Sequence, residues 1–243
     1  MRSEARLRRL SDYLSATGSS INLTFHDVIS TSSVDTRSPY AVSLQTLRDI
    51  TQWLDIHALA PRTRLYFDDS HRSFYDTVLG NVEVSTFEEV VVGVPVTSVG
   101  TKGRGDWSDL NAARERGVRV APHGYSHVRL AAYDSNGVRQ TSPLAGPYGD
   151  REPLAGEPLA ENEVLFQLVE SHEALGGNEF ILPYGCYNET TLAINGRLGL
   201  YSHLATADFE LDEGQLLRPR LLVKADDTVA TISAVLLQAV ERQ

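Results

Sequence analysis

The sequence predicts a single-domain α/β fold, a distorted (β/α)7-type barrel. Two observations support this prediction. Short apolar and β-branched segments alternate with longer segments of helical period along the 243 residues, and such alternation is typical of a parallel sheet. We count roughly seven strands, most of them followed by a helix, and that number in a chain of this length favours a closed barrel over an open sheet.

The first half of the chain provides the clearest elements. Residues 1–17 form an amphipathic pattern with Leu7, Leu10 and Leu14 on one face, which predicts a helical extension over residues 1–20 ahead of a barrel at 21–243. The segment 90–94 is wholly apolar, as expected of a strand buried on both faces. The first four predicted strands cover residues 21–25, 64–67, 90–94 and 118–121, and the helices among them cover 42–57 and 107–116.

The second half repeats the alternation after a long irregular segment at about residues 133–160, rich in Pro and Gly. Structureless loops of this length are uncommon, and this one is either a solvated insertion or a lid or rim for a substrate. Beyond it, the predicted strands cover residues 180–182, 201–205 and 217–223, and the predicted helices cover 161–175, 189–198 and 228–240.

Composition limits the function classes. Lys and Arg total 22 against 32 Asp and Glu, a formal charge of −10, which disfavours nucleic acid as a partner and suits a neutral or cationic substrate such as an amino sugar. The single cysteine, Cys186, excludes an internal disulfide. No segment approaches the roughly 20 apolar residues of a membrane span, and the N-terminal pattern is not that of a secretory signal. We therefore expect a cytoplasmic protein.

Three polar clusters follow predicted strands: LYFDDS at residues 65–70, PHGYSH at 122–127 and LPYG at 182–185. The loops that follow the strands of a parallel β/α barrel lie on one face, where active sites are built. The three clusters can therefore converge although more than 100 residues separate the first from the last.

Each cluster is ambiguous by itself. Asp68 and Asp69 form a costly pair of like charges unless a cation lies beside them, and an isolated pair is usually a solvated turn. His123 and His127 are four residues apart and can bind one ion, or can be ordinary surface or core histidines. Together, two imidazoles and one carboxylate form a ligand set that leaves positions open for water, as in catalytic metal sites. The second Asp can then act as a base.

These motifs resemble those of the polysaccharide deacetylases, which include chitin and peptidoglycan deacetylases. YFDDS at 66–70 is similar to their T-F-D-D-G motif, HGYSH at 123–127 to H-S/T-x-x-H, and ILPYG at 181–185 to R-x-P-Y-G without its Arg. DWSDL at 106–110 and LTFHDV at 23–28 also resemble family segments. The resemblance covers roughly residues 21–200.

The resemblance implies roles for particular residues. Asp69, His123 and His127 would bind a divalent metal, most commonly Zn²⁺, and Asp68 would take a proton from the attacking water. A backbone N–H near Tyr184 would help to stabilise the oxyanion.

Three family features are missing: the Arg of the third motif, the late L-x-H motif, and the Asp and Trp of the fourth motif. Ile181 occupies the position of the motif Arg that orients the catalytic Asp, and Arg129, Arg218 and Arg220 are candidate replacements that spacing does not rank. The late L-x-H motif, which supplies the general acid, is also absent. Two histidines could replace it, His203 at the end of the strand 201–205 and His26 at the end of the first strand, although either can be structural. Asp208 is a further guess for a fourth-motif residue.

The sequence therefore predicts a metal-dependent hydrolase that removes an N-acyl group, most commonly N-acetyl, from an amino sugar during the synthesis of a glycan or cell-envelope polysaccharide. The alternative within the same fold is a non-catalytic member that binds metal or glycan, which Ile181 and the missing late His favour. A third possibility is an unrelated β/α barrel with coincidental motifs.

Overall fold

The computed structural model describes residues 2–30, 38–131 and 160–241, with side chains from residue 5 onward. Its centre is a five-stranded parallel sheet with the strand order β10-β1-β4-β5-β6, and a three-stranded parallel sheet, β7-β8-β9, lies beside it. The strands of these sheets are β1 (Ile21–Phe25), β4 (Thr63–Phe67), β5 (Glu89–Val94), β6 (Arg119–Pro122), β7 (Glu179–Ile181), β8 (His203–Ala205), β9 (Leu217–Arg218) and β10 (Leu221–Leu222). A short parallel pair, β2 (Asp27–Ile29) and β3 (Ala41–Ser43), stands apart.

One chain segment joins the two parallel sheets. Leu217 and Arg218 pair with Leu204 and Ala205 of β8, and residues 221–222 pair with residues 23–24 of β1. The segment therefore leaves one sheet and enters the other within six residues, so a single predicted strand at 217–223 is two short strands in the structure.

The barrel interior is shared by both sheets. Five buried side chains form one apolar cluster, with one residue from each of β4, β5, β6, β7 and β8: Tyr66, Val91, Ala121, Ile181 and Ala205. Among the described residues no backbone ladder joins β6 to β7. The ion pair of Arg119 (β6) with the fully buried Glu179 (β7) crosses that seam, and Tyr66 Oη (β4) donates to Glu179 Oε1 over 2.9 Å. Arg218 (β9) pairs with the same carboxylate from within the three-stranded sheet.

The described residues contain six α-helices around the sheets: α1 (Arg2–Thr17), α2 (Leu44–Ile56), α3 (Trp107–Glu115), α4 (Glu161–Leu175), α5 (Glu189–Leu198) and α6 (Val229–Glu241). Local signals explain several of their ends. Ser43 caps α2 by accepting from the N–H of Thr46, Asp106 and Asp109 form a capping box at α3, and Gly199 ends α5 with φ 63°. None of the described helices is long and apolar enough to cross a membrane.

The predicted α/β class with its parallel sheet is confirmed, and α4 and α5 have the predicted bounds. The short β2–β3 pair was not predicted, because three-residue strands carry too little pattern to detect. The irregular segment predicted at 133–160 lies outside the described residues except for Ala160, which directly precedes α4.

The N-terminal helix packs onto the body of the fold. Leu10 and Leu14 of α1 are fully buried and belong to the same core cluster as Ile21 and Leu23 of β1. Residues 1–20 were predicted as an extension of the barrel, and their helix shares the main core.

We expect Leu10→Ala to lower the free energy of unfolding by about 2–5 kcal/mol, because it leaves a cavity at a fully buried position. Leu198→Ala, at a helical position that is 36 % exposed, is the matched control and should cost less than about 1 kcal/mol. Urea denaturation followed by circular dichroism measures both. Equal losses would show that α1 does not pack as described.

Candidate active site

The site begins at the carboxyl end of β4. The chain there is apolar and buried through Phe67, and Asp68 and Asp69 follow at the point where the strand leaves the sheet. Asp68 is 3 % exposed and Asp69 is half-buried. Because β4, β5 and β6 run parallel, the residues after β6, His123 to His127, meet the two acids at the same edge.

Three side chains predicted as metal ligands do converge. Asp69 Oδ1 lies 3.0 Å from His127 Nε2 and 3.5 Å from His123 Nε2, and the two Nε2 atoms are 3.1 Å apart. Two ligand atoms bound about 2.1 Å from one ion are themselves about 3.0–3.4 Å apart, depending on the bond angle. The three atoms therefore have the spacing of ligands that share one divalent cation.

The donor set itself also fits a cation. Asp69 Oδ1 is buried and has no hydrogen-bond partner of good geometry among the described residues, although two imidazole nitrogens face it. His123 Nδ1 lies 3.0 Å from the carbonyl of Ile181, a contact that fixes the ring and leaves Nε2 directed toward Asp69. An unpaired carboxylate oxygen and a free imidazole nitrogen are the ligands that zinc prefers.

The backbone at the site is strained. Among the described non-glycine residues, positive φ angles occur at Asp69 (68°), Ser70 (52°), His127 (54°) and Tyr184 (59°), and elsewhere only at Ala58. Such conformations cost of order 1–3 kcal/mol each and persist where surrounding structure imposes them. The strain is therefore concentrated in the three loops that build the site.

Two glycines allow these loops to approach. A Cβ at Gly93 of β5 would lie 3.0 Å from both Asp68 Oδ1 and Ile181 Cδ1. A Cβ at Gly124, where φ is 79°, would lie 2.9 Å from Pro183 Cγ. The positions need glycine because Asp68 of the first motif lies against β5 at Gly93, and Pro183 of the third motif lies against the loop after β6 at Gly124.

An aromatic and cationic stack supports His127. Its ring centroid lies 4.7 Å from that of Tyr184, and the guanidinium carbon of Arg129 lies 4.2 Å from the centre of the Tyr184 ring. Tyr184 is 38 % exposed, so its ring forms part of the rim beside the candidate metal ligands.

An imidazole and a guanidinium lie close to the second oxygen of Asp69. His71 Nε2 and Arg104 Nη1 lie 3.6 and 4.0 Å from Asp69 Oδ2, and Arg104 Nη1 also donates to the Asp69 carbonyl over 2.9 Å. Burial raises the pKa of Asp69, but the nearby imidazoles of His123, His127 and His71 lower it by more than burial raises it. The net pKa of Asp69 therefore lies well below its ordinary range. Asp69 is therefore ionised and available as a ligand.

The second acid has a dedicated cation. Arg220 Nη1 donates to Asp68 Oδ1 over 2.9 Å and to Asp68 Oδ2 over 3.0 Å. Burial raises the pKa of Asp68, and the Arg220 guanidinium followed by His123 lowers it, for a net fall below the ordinary value. Asp68 Oδ2 lies 3.9 Å from His123 Nε2, so the carboxylate stands beside the candidate metal ligands.

The three candidate replacements for the motif Arg are now distinguished. Arg220 binds Asp68, whereas Arg218 pairs with Glu179 and Asp212 inside the barrel and Arg129 covers Tyr184.

The two candidate histidines for the general acid lie at different ends of the fold. His26 follows β1 and stands alongside Asp68, because Phe25 pairs with Phe67 in the sheet. The prediction that His203 lies at the end of a strand is wrong. His203 is the first residue of β8, pairs with Glu179 at the amino end of the sheet, and has its Nδ1 3.1 Å from the Gln215 carbonyl.

His26 has its Nδ1 buried with no hydrogen-bond partner among the described residues. Burial lowers its pKa to about 4 despite the nearby charges of Asp68 and Asp69. Asp208, the candidate for the fourth-motif residue, lies in the loop after β8, where its N–H donates to Thr206 Oγ1 over 3.4 Å.

Comparison with solved structures identifies the architecture. A deacetylase from Streptococcus pyogenes, PplD in complex with acetate, matches with a TM-score of 0.65 and 17 % identity over 90 % of this chain and 98 % of that one. IcaB from Ammonifex degensii matches with a TM-score of 0.61 and 21 % identity over 90 % and 97 %. A polysaccharide deacetylase from Bacillus cereus matches with a TM-score of 0.63 and 12 % identity over 90 % and 69 %.

The chain has the polysaccharide deacetylase fold. No protein-family model matches the sequence, and no curated protein is similar to it at a significant level. The resemblance inferred from three short motifs is thus confirmed at the level of the fold, which full-length sequence comparison misses.

Several groups around this deacetylase-fold site escaped the sequence analysis. His71 and Arg104 approach Asp69, and Gly93 makes room for Asp68, yet none of the three belongs to a motif. The one available signal was Gly93 itself, since a glycine inside a β-branched strand often marks a close approach of another group.

We expect metal binding to weaken as the pH falls through the pKa of His123, which lies above the ordinary pKa of histidine. Burial lowers the pKa of His123, but Asp68 and Asp69 more than offset this and the net pKa is raised. A bound cation requires neutral imidazole, so the apparent affinity for Zn²⁺ should fall about tenfold per pH unit for each proton that must be displaced.

Calorimetric titration of the apoprotein with Zn²⁺ between about pH 5.5 and 8 measures this dependence. His123→Ala should lose binding at every pH, and His57→Ala, at the end of α2, is the control that should retain it. Binding that is independent of pH, or retained by His123→Ala, would contradict the proposed ligands.

Proposed function

We propose that this chain is a metal-dependent amidohydrolase that removes an N-acyl group, chiefly N-acetyl, from an amino sugar of a glycan. The observation that carries the proposal is the cluster of Asp69, His123 and His127, whose ligand atoms all lie within 4.8 Å of one another, with the ionised Asp68 beside it. The polysaccharide deacetylase fold supports the same reaction class.

Asp69, His123 and His127 would hold the metal. One carboxylate and two imidazoles suit Zn²⁺, and three protein ligands leave room for water and substrate. A divalent cation at these ligands supplies Lewis-acid polarisation of the acyl carbonyl and lowers the pKa of a water molecule. The residues around it perform the remaining steps.

Asp68 is the proposed base. Its pKa is low and its carboxylate is held by Arg220, so it is ionised and fixed in place near His123. It takes a proton from the attacking water as the water oxygen bonds to the acyl carbon. The backbone N–H of Tyr184 is the proposed donor to the oxyanion, on a loop whose positive φ of 59° sets its direction.

His26 is the proposed general acid. It stands next to Asp68 across the β1–β4 ladder, and its buried Nδ1 has no partner among the described residues. Because the pKa of His26 is about 4, its imidazole is neutral before the reaction. His26 must therefore gain a proton before it can act as an acid. The proposed source is Asp68, the neighbouring residue that takes a proton from the attacking water. The proton then passes to the amine nitrogen as the C–N bond breaks and the carboxylic acid product leaves as its anion.

A glycan substrate agrees with charge and with the solved neighbours. The net charge of −10 suits a neutral N-acetyl sugar whose product amine is cationic. The neighbours named above are deacetylases, and one of them holds acetate. The place of the reaction in glycan or envelope synthesis and the cytoplasmic location stay predictions from the sequence.

Catalysis is favoured over the alternative of a non-catalytic metal- or glycan-binding member. That alternative was motivated by Ile181 at the place of the motif Arg and by the missing late His. Arg220, between β9 and β10, provides a cation to Asp68, and His26 provides an imidazole beside it. Both gaps that suggested inactivity are therefore filled by residues from elsewhere in the chain.

We expect Asp68→Asn to lower kcat by about 10²–10⁴-fold while the protein still binds Zn²⁺, because the variant keeps the ligands and removes the base. Acetate release from β-linked N-acetylglucosamine oligosaccharides measures the rate, with calorimetry for the metal. Asp49→Asn, at an exposed position of α2, is the control. A turnover equal to that of the unaltered protein would end the proposed role.

We expect His26→Gln to slow release of acetate from the sugar amide far more than from 4-methylumbelliferyl acetate. An amine must be protonated to leave, whereas an aryloxide leaves without a proton, so loss of a general acid affects the amide alone. Asp68→Asn should slow both substrates. An equal effect of His26→Gln on both would assign His26 a structural role.

A further inference from the structure

We infer that Arg220 is the positioning residue of the catalytic base, and that the segment crossing between the two sheets therefore belongs to the active site. The inference rests on the proposed hydrolase function. It concerns a residue 152 positions from Asp68 in the chain, outside all three motifs.

The contact between the two side chains is buried and direct. Arg220 and Asp68 are each 3 % exposed, and one guanidinium nitrogen donates to both carboxylate oxygens at 2.9 and 3.0 Å. Charge-assisted bonds of this kind are stronger than neutral ones. The contact therefore restricts rotation of the Asp68 carboxylate about its own axis.

Arg220 is itself held from two other directions. Its Nε donates to the Thr206 carbonyl over 2.9 Å, and its guanidinium lies 5.0 Å from the centre of the Tyr66 ring. Tyr66 is fixed in turn by its hydrogen bond to Glu179. The Arg220 guanidinium is thus held toward Asp68 by the Thr206 carbonyl, directly after β8, and by the ring of Tyr66.

Arg218 provides a contrast within the same segment. It is also buried and paired, but its partners are Glu179 and Asp212 in the charged network that crosses between strands. One arginine of the segment therefore stabilises the barrel, and the other contacts the reacting acid.

The position of Ile181 in the interior offers a second way to test the assignment. A Cβ on Gly93 would lie 3.0 Å from both Asp68 Oδ1 and Ile181 Cδ1, so these two atoms are at most twice that distance apart. An arginine at position 181 can therefore reach Asp68 if the guanidinium of Arg220 is removed.

The first test compares Arg220→Lys with Arg218→Lys. Lysine keeps the buried charge but lacks the fork that joins the Thr206 carbonyl to Asp68. We expect Arg220→Lys to lower kcat for N-acetylglucosamine oligosaccharides by about tenfold or more, with KM and Zn²⁺ stoichiometry unchanged. Arg218→Lys should lower the melting temperature without lowering kcat. An Arg220→Lys enzyme with unaltered kcat, or an equal loss in both variants, would overturn the inference.

The second test moves the cation. Arg220→Met should lose more activity than Arg220→Lys, and adding Ile181→Arg to Arg220→Met should recover at least about tenfold in kcat, because the second cation reaches the same carboxylate. A double variant no faster than Arg220→Met would overturn the inference. Absence of turnover in the unaltered protein would instead reject the proposed function, so the two failures are distinguishable.

Discussion

The site depends on keeping two adjacent carboxylates ionised at the end of one buried strand. Asp68 and Asp69 repel each other and are both withdrawn from water, which favours their neutral forms. Each is compensated separately, Asp68 by Arg220 and Asp69 by three imidazoles and a more distant Arg104. Separate compensation gives two neighbouring carboxylates different surroundings, which suits the different roles proposed for them, Asp69 as metal ligand and Asp68 as base.

The parallel sheet makes this compensation possible. The strands β1, β4 and β6 end at one edge, so the residues that follow them, His26, Asp68 and His123, come together without any sequence proximity. The same edge concentrates strained backbone at Asp69 and His127. The strain is tolerated because the strands beneath are fully buried and hold the loop ends.

A buried network of charged residues around Glu179 lies at the opposite, amino end of the strands. Glu179 is buried among Arg119, Arg218 and Tyr66, and its contacts with Arg119 and Tyr66 join the two sheets near the β6–β7 seam, where the described backbone ladders do not continue. His203 lies at this end. A buried ion pair contributes little net stability, but losing one partner costs several kcal/mol, so the network fixes how the two sheets meet.

The sequence by itself located most of the elements and the candidate metal ligands. Apolar periodicity located the helices, as in the coincident bounds of α4 and α5. His123 and His127 could be selected because they lie four residues apart in one loop, a spacing that lets both imidazoles approach the same point. The sequence could not select the residues that reach the site from distant parts of the chain. Arg220 could not be chosen over Arg129 and Arg218, because all three are arginines near strands and only tertiary packing brings one guanidinium to Asp68. His203 was misplaced because a shift of two residues in the start of a strand moves a side chain to the opposite end of the sheet. Local spacing thus determined what one loop contributes, whereas contacts between distant strands, which no local pattern encodes, were decided by the folded structure.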